Sequence, residues 1–384
     1  MTPADAPGAT PRSAFTARLD AEGAARDLVD QIGTDAPCAV IFFCSWQHDG
    51  AALSAALREA WGSTSVIGCT TAGAFTEAEE SADGVSAFAF GSDVVRRCGV
   101  ALADYASVAP GEAVAAAMAQ ISGHLDLDLR TATPDRYVGI VLMDGLRGGE
   151  EEVNHALGVA APTVEFVGGS AGDGLRFEET RVYCNGEVSG RGAVLLLLDM
   201  EAPFTVLKTE SVEPTGRTLT VTDLDVESRV VRQFDGRPAA EAYAEATGLD
   251  EQALDVEAFT HFPLGFMEGA RPWLRSPMQR TDGGGLRFLS QLGEGGTYSV
   301  MRQTDLIADT RRDVERAEKR LGTPVRAALV FNCVYRRLEM DAEDLHRAHR
   351  AIYGDRDVAA AGFHTYGESY LGHMNQTAVL LLVG

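Results

Sequence analysis

One pattern recurs along this chain: an apolar strand, a polar stretch, a helix, and a second strand that ends in a turn of small residues. In residues 39–73, AVIFFCS is a continuous run of β-formers and AALSAALREAW carries helix formers at amphipathic spacing. STSVIGCTTAG then ends in Gly68-Cys69-Thr70-Thr71-Ala72-Gly73. In residues 137–173, YVGIVLMD is the first strand, GLRGGEE the polar loop, EVNHALGVA the helix and TVEFVGGSAGD the second strand and turn. Near the C-terminus AALVFNC, MDAEDLHRAHRAIYG and DVAAAGFHTYGE follow in the same order. Cys44 and Gly68 are 24 residues apart, as are Asp144 and Gly168, and Cys333 and Gly362 are 29 apart. The first and third turns read G-x-x-T-x-G, and the middle one, Gly168-Gly169-Ser170-Ala171-Gly172, is one residue shorter. Each turn leads through a polar segment into a strand of small apolar residues: GVSAFAFG (84–91), GAVLLLLD (192–199) and TAVLLLVG (377–384). The spacing predicts a fourth, weaker copy centred on Pro263-Leu264-Gly265-Phe266.

A strand–helix–strand crossover this short makes a right-handed parallel pair, and the strand after each turn can return antiparallel beside it. The expected fold is therefore α/β, with two modules of repeated strand–helix–strand units and mixed sheets flanked by helices. A boundary is expected within 199–232. That gives a disordered tail over 1–24, an N-terminal domain over 25–215 and a C-terminal domain over 216–384. Ligands of such sheets lie beyond the carboxyl ends of the parallel strands, where the first-strand loops and the small-residue turns sit. Glycine there permits positive φ and close backbone approach.

The formal charge of −23 disfavours phosphate backbones and anionic lipid surfaces, so neither nucleic acid nor membrane is expected as a partner. The longest apolar runs have the length of buried strands rather than of membrane spans. MTPADAPGATPRS lacks the basic start and apolar stretch of a secretory signal. The six cysteines, at 38, 44, 69, 98, 184 and 333, form no C-x-x-C, and most lie in apolar runs. That is the pattern of reduced buried thiols, and it points to the cytoplasm.

VIGCTTAG (66–73), MDGLRGGEE (143–151), FVGGSAGD (166–173), FDGRPAAEAY (234–243), FNCVYRRLE (331–339) and GFHTYGE (362–368) together resemble the FIST family, an N-terminal FIST module followed by a C-terminal one. The resemblance covers the chain from about residue 25 onward. It implies a sensory module for small ligands, amino acids among them, that works with histidine kinases, chemoreceptors or cyclic-dinucleotide enzymes. CVYRRLE (333–339) and HMNQT (373–377) further resemble a subset described as haem-binding nitric oxide sensors that act on a neighbouring kinase. His364 departs from the Tyr, Ser or Asn that members often carry there. The spacing from Glu368 to His373 is a residue shorter than in that subset.

The ligand-binding candidates are Gly168, Gly169, Ser170, Asp173, Arg336, Thr365, Tyr366 and Glu368. Asp173 suits an ammonium group or an Asx turn. Arg336 suits a ligand carboxylate or an acid of the protein. His373 and His364 are the candidates for a haem ligand, each weighed against a hydrogen-bonded structural histidine. GGSAG formally matches G-x-S-x-G, so a hydrolase using Ser170, or Cys333, is the catalytic alternative. The motif needs a helix directly after the serine, and Asp173-Gly174-Leu175-Arg176-Phe177 does not begin one. His346 and His349 read as a solvated helix face, not a metal pair. H-E-x-x-H, P-loop and G-x-G-x-x-G motifs are absent from the sequence.

Overall fold

The computed structural model describes residues 11–269 and 271–384. Three mixed sheets repeat one plan. In the first, Ala39–Cys44 and Ser65–Thr70 pair in parallel, with the helix Gly50–Trp61 crossing between them. Val85–Phe90 returns antiparallel beside Ala39–Cys44, and Arg12–Thr16 lies outside it. In the second, Tyr137–Met143 and Glu165–Ser170 are the parallel pair, Glu150–Ala160 the crossover helix, Gly192–Met200 the return strand and Val95–Asp104 the outer strand. In the third the same places are taken by Ala327–Cys333, Ala359–Thr365, the helices Val334–Glu343 and His346–Gly354, Thr377–Val383 and Phe204–Glu210.

The remaining edge of each sheet is filled by a strand from another unit. Val182–Cys184, which follows the second turn, pairs antiparallel with Ser65–Thr70 of the first sheet. Glu368–Tyr370, after the third turn, pairs with Glu165–Ser170 of the second. Ala74–Thr76, after the first turn, pairs with Ala359–Thr365 of the third. The exchange closes a ring with pseudo-threefold symmetry. The turns meet through the same two hydrogen bonds each time. Ala72 N donates to His364 O and His364 N to Gly73 O; Gly172 N donates to Thr70 O and Thr70 N to Arg181 O; Tyr366 N donates to Ser170 O and Ser170 N to Gly367 O. Arg181 thus stands where the other turns have Gly73 and Gly367. The middle turn is not one residue short: residues 173–180 are inserted as a strap before its exchanged strand.

The inner faces of the three sheets share one core. Phe43 stacks on Phe363 at 4.6 Å, and Phe331 meets both rings edge-on. The outer faces are covered by helices, and both faces of the central strands are buried. That is why these strands read as unbroken apolar runs rather than alternating ones. Each such Leu, Val or Phe contributes about 1.5–3 kcal/mol by leaving water.

Between Phe204–Glu210 and the helix Leu306–Leu321, residues 212–303 form a separate antiparallel sheet with its own core, which includes Phe234, Tyr243, Phe259 and Phe288. The expected boundary at 215/216 falls inside the strand Val212–Asp225. The fourth copy expected at Gly265 is absent. Leu264–Glu268 turns back through Gly269, at φ +62, to pair antiparallel with Arg271–Arg275. Its other neighbour, Thr297–Gln303, is antiparallel as well, so no parallel pair forms around Gly265. The tail expected over 1–24 is also shorter, because Arg12–Thr16 is a strand and Ala21–Ile32 a helix capped by Asp20. Residues 1–10 of that expectation lie outside the described residues.

Candidate ligand cleft

The carboxyl ends of the second and third parallel pairs face the antiparallel body across a cleft of about 910 Å³. One wall is the loop after Tyr137–Met143. Asp144 is buried at its start and accepts from Leu146 N, Arg147 N and the Thr180 hydroxyl. Desolvation pushes its carboxyl above the usual range. Gly148 and Gly149, at φ +75 and +105, turn the loop into the helix Glu150–Ala160.

The strap 173–180 forms the next wall. Asp173 organises it by accepting from Phe177 N, Glu178 N and Glu179 N, and from the Tyr366 hydroxyl. Burial raises its pKa, but these four donors outweigh that and hold it below the ordinary value. The Tyr366 oxygen in turn accepts from Leu175 N, and its ring stacks on Phe177 at 5.1 Å. Leu175 and Phe177 both sit at positive φ, a costly conformation for large side chains. Tyr335 and Leu338 complete the core side, with the Tyr335 hydroxyl donating to Pro277 O of the antiparallel body. From that body come Arg229, Arg287, Phe288 and Leu289.

Arg229 clasps the two bodies: it bonds Glu150 at 2.7 Å and Glu151 at 2.6 Å, at the N-terminus of the crossover helix, and donates to Leu289 O. The HMNQT run makes the rest of the fastening. Asn375 accepts from Ser290, Gln376 accepts from Ser276, and Gln376 donates to Thr260 O. Arg147 and Arg287 line the cleft and have no ion-pair partner among the described residues.

Of the eight ligand-binding candidates, Tyr366 lines this cleft. Gly168, Gly169 and Ser170 belong to the buried ring instead. A Cβ on Gly168 would lie 1.7 Å from Val141 O, and one on Gly169 2.6 Å from Thr365 Cγ2. Thr365 donates to Glu368, which also accepts from Thr377 N and Oγ1. Arg336 is buried with its guanidinium on Asn332, Ser211 and Thr310, away from the cleft, and desolvation lowers its pKa. Ser170 is followed by no helix, and its buried hydroxyl has no hydrogen-bond partner among the described residues. Burial pushes the Cys333 thiol well up, so neither residue has the surroundings of an activated nucleophile. Arg147, Phe177, Arg287 and Leu338 were not singled out in sequence. The polar loop GLRGGEE at the ligand edge was the one signal that pointed near them.

The histidines divide. His364 has both ring nitrogens engaged, Nδ1 with Asn332 and Nε2 with Glu80 at 2.9 Å. Glu80 also holds His346 and Arg350, and this cluster holds its carboxyl at about 2 even though burial opposes ionisation. Glu80, His346 and His364 have metal-ligand spacing. However, Asn332 Oδ1 is held by Arg336 Nε, so its amide N–H faces His364 Nδ1. The ring proton then sits on Nε2, the nitrogen a metal would need. The solvated face expected for His346 and His349 is not found: His346 joins the Glu80 cluster, and His349 is fully buried between Phe75 and Tyr353. His373 is buried against Gly367, and neither ring nitrogen has a partner among the described residues. It borders a second hollow, of about 520 Å³, with Glu151, His155, Arg275 and Leu371.

Glu368 supplies a pH signature. Full burial raises its carboxyl to about 7, despite the donors around it. A carboxyl harder to ionise folded than unfolded stabilises fully below the ordinary carboxylate range, and that contribution is lost as pH rises through about 7. In Glu368→Gln the amide oxygen can accept from Thr377 and the amide nitrogen can donate to Thr365. Urea unfolding should therefore show about 2–4 kcal/mol less loss of stability between about pH 4 and 8 in the variant than in the parent. Equal slopes would contradict the assignment.

Two family descriptions match the chain: the FIST N domain over residues 38–237 and the FIST C domain over residues 239–370. A search of curated proteins found no match. No helix among the described residues is long and apolar enough to cross a membrane. FIST domains are sensory domains for small ligands in signal transduction. With both domain types matched in order across most of its length, this chain belongs to the FIST family.

Proposed function

We propose that the chain is a cytoplasmic small-ligand sensor, that an amino acid or related small acid binds in the 910 Å³ cleft, and that the bound state is relayed to a separate sensor kinase, receptor or cyclic-dinucleotide enzyme. The observation that carries this reading is the placement of Arg147 and Arg287 on opposite bodies around one cleft, neither of them in an ion pair among the described residues, although Glu150, Glu178 and Glu227 share the lining. A carboxylate between them would draw the antiparallel body and the second-unit loop together. The bodies are also held by the Arg229 clasp, by buried hydrogen bonds and by Leu289 packed on the cluster that contains Val334, Tyr335 and Tyr366, and a ligand that touches both favours this arrangement by its differential affinity. The six free thiols agree with a reducing compartment.

Thermal-shift and calorimetric screens of amino acids and small carboxylic acids test the reading. Arg287→Ala should weaken the best acid by about 10–100-fold, the value of a charge-assisted hydrogen bond of about 1.5–3 kcal/mol. Absence of binding by every acid would end the proposal, and an unaffected Arg287→Ala would move the ligand out of this cleft.

A second reading rests on His373. Its two ring nitrogens, unpartnered among the described residues and beside a hollow, would be free to hold a haem iron, whereas both nitrogens of His364 are occupied. A haem held there would supply an iron that binds nitric oxide. Protein reconstituted with haem should show a Soret band that is lost in His373→Ala and kept in His364→Ala. A colourless parent, or a band indifferent to His373, would exclude it.

A further inference from the structure

At the rim opposite the cleft, two thiols from different sheets face each other. Cys38 immediately precedes Ala39–Cys44, at the amino-terminal edge of the first sheet. Cys98 lies in Val95–Asp104, the outer strand of the second sheet. Through Leu198 it aligns with Val138, at the amino-terminal end of the second parallel pair. Sγ of Cys38 is 3.5 Å from Sγ of Cys98, and the two residues are 60 apart in the chain. Cys98 is buried and Cys38 is partly open to solvent. The remaining four cysteines are buried.

We propose that Cys38 and Cys98 form a redox site that a hydroperoxide converts to a disulfide, covalently joining the first and second sheets. The geometry needs a small movement: the sulfurs close from 3.5 Å to about 2.05 Å. One thiolate attacks the peroxide oxygen, the O–O bond breaks, and a sulfenic acid and water (or an alcohol) form. The second thiolate attacks the sulfenic sulfur, the S–O bond breaks with release of water, and the S–S bond forms. In total two thiols lose two protons and two electrons, which reduce the peroxide to water and water or an alcohol. The proximity also favours a thiolate: S–H donation by Cys38 lowers the Cys98 pKa despite its burial, while Cys38 itself is raised. Among the described residues, no hydrogen bond joins any other two thiols. Cys44 Sγ contacts the backbone oxygen of Cys69, and burial raises its thiol to about 12.

The site is independent of the cleft reading, since its strands end away from the ligand edge. Its effect is to stiffen the relation between two sheets whose hairpins are already interlocked, so an oxidant signal can reach the body that carries the cleft loop.

The test uses the full reduced chain, exposed to hydrogen peroxide in slight excess and followed by intact mass and a non-reducing peptide map. The expected result is a mass lower by two hydrogens and one cross-linked peptide pair, Cys38 with Cys98, reversed by dithiothreitol. Cys38→Ser, which keeps a hydroxyl donor beside Cys98, should remove that species and leave Cys98 to gain oxygen instead. Oxygen addition to the parent without a cross-link, or a cross-link confined to other cysteines, would overturn the proposal. The parent measurement decides the question even if Cys38→Ser fails to fold.

Discussion

Each of the three sheets has an edge that its own unit cannot fill, and a neighbour supplies the strand. An open parallel edge would expose unpaired amides and carbonyls along the most apolar strands of the chain. Exchange of short strands removes these edges in a closed cycle: first unit to third, third to second, second to first. The six turn-to-turn hydrogen bonds then bring the three turns together at the centre. This interlock explains why the turns need small residues. The space beside Gly169 and Gly172 is occupied by another unit's backbone or side chain, and that beside Gly168 by Val141 of its own parallel partner strand. A residue type that suggested a cradle for a ligand is, in this fold, a condition for three chain segments to meet.

Much of the fold was legible because its cause is local. Both faces of the central strands are covered, so the strands appear as unbroken apolar runs, and the crossover helices follow at fixed distance. What could not be read was the partner of each short strand after a turn. Ala74–Thr76, Val182–Cys184 and Glu368–Tyr370 carry no periodicity long enough to show a face, and each pairs with a strand more than a hundred residues away. Gly265 had the right spacing for a fourth copy, but spacing carries no sign of direction, and the hairpin at Gly269 reverses the chain.

The candidate site was legible as an edge and not as residues. The sheet rule pointed to the first-strand loops and the turns. The turns became structural, and the loop Gly145–Gly149, with the strap and the antiparallel body, became the cleft. Asp173 and Tyr366 show how the two roles join: their hydrogen bond shapes the strap, and the Tyr366 ring forms a wall. Arg336 and Glu368 looked like ligand groups because they are charged within a motif, yet each is buried among neutral donors or acceptors of the protein. Arg287 gave no signal, because it lies more than a hundred residues from the loop it faces and only the docking of the antiparallel body brings it to the cleft.

The interlock makes the two matched domains one folding unit, and fragment complementation tests that directly. Residues 11–211 contain two of the three sheets but lack Glu368–Tyr370 and the partner of Phe204–Glu210. Followed by circular dichroism during urea titration, this fragment alone should show no cooperative transition, and mixing it with residues 212–384 should restore one. A fragment that unfolds cooperatively by itself, with unchanged behaviour when its complement is added, would contradict the account.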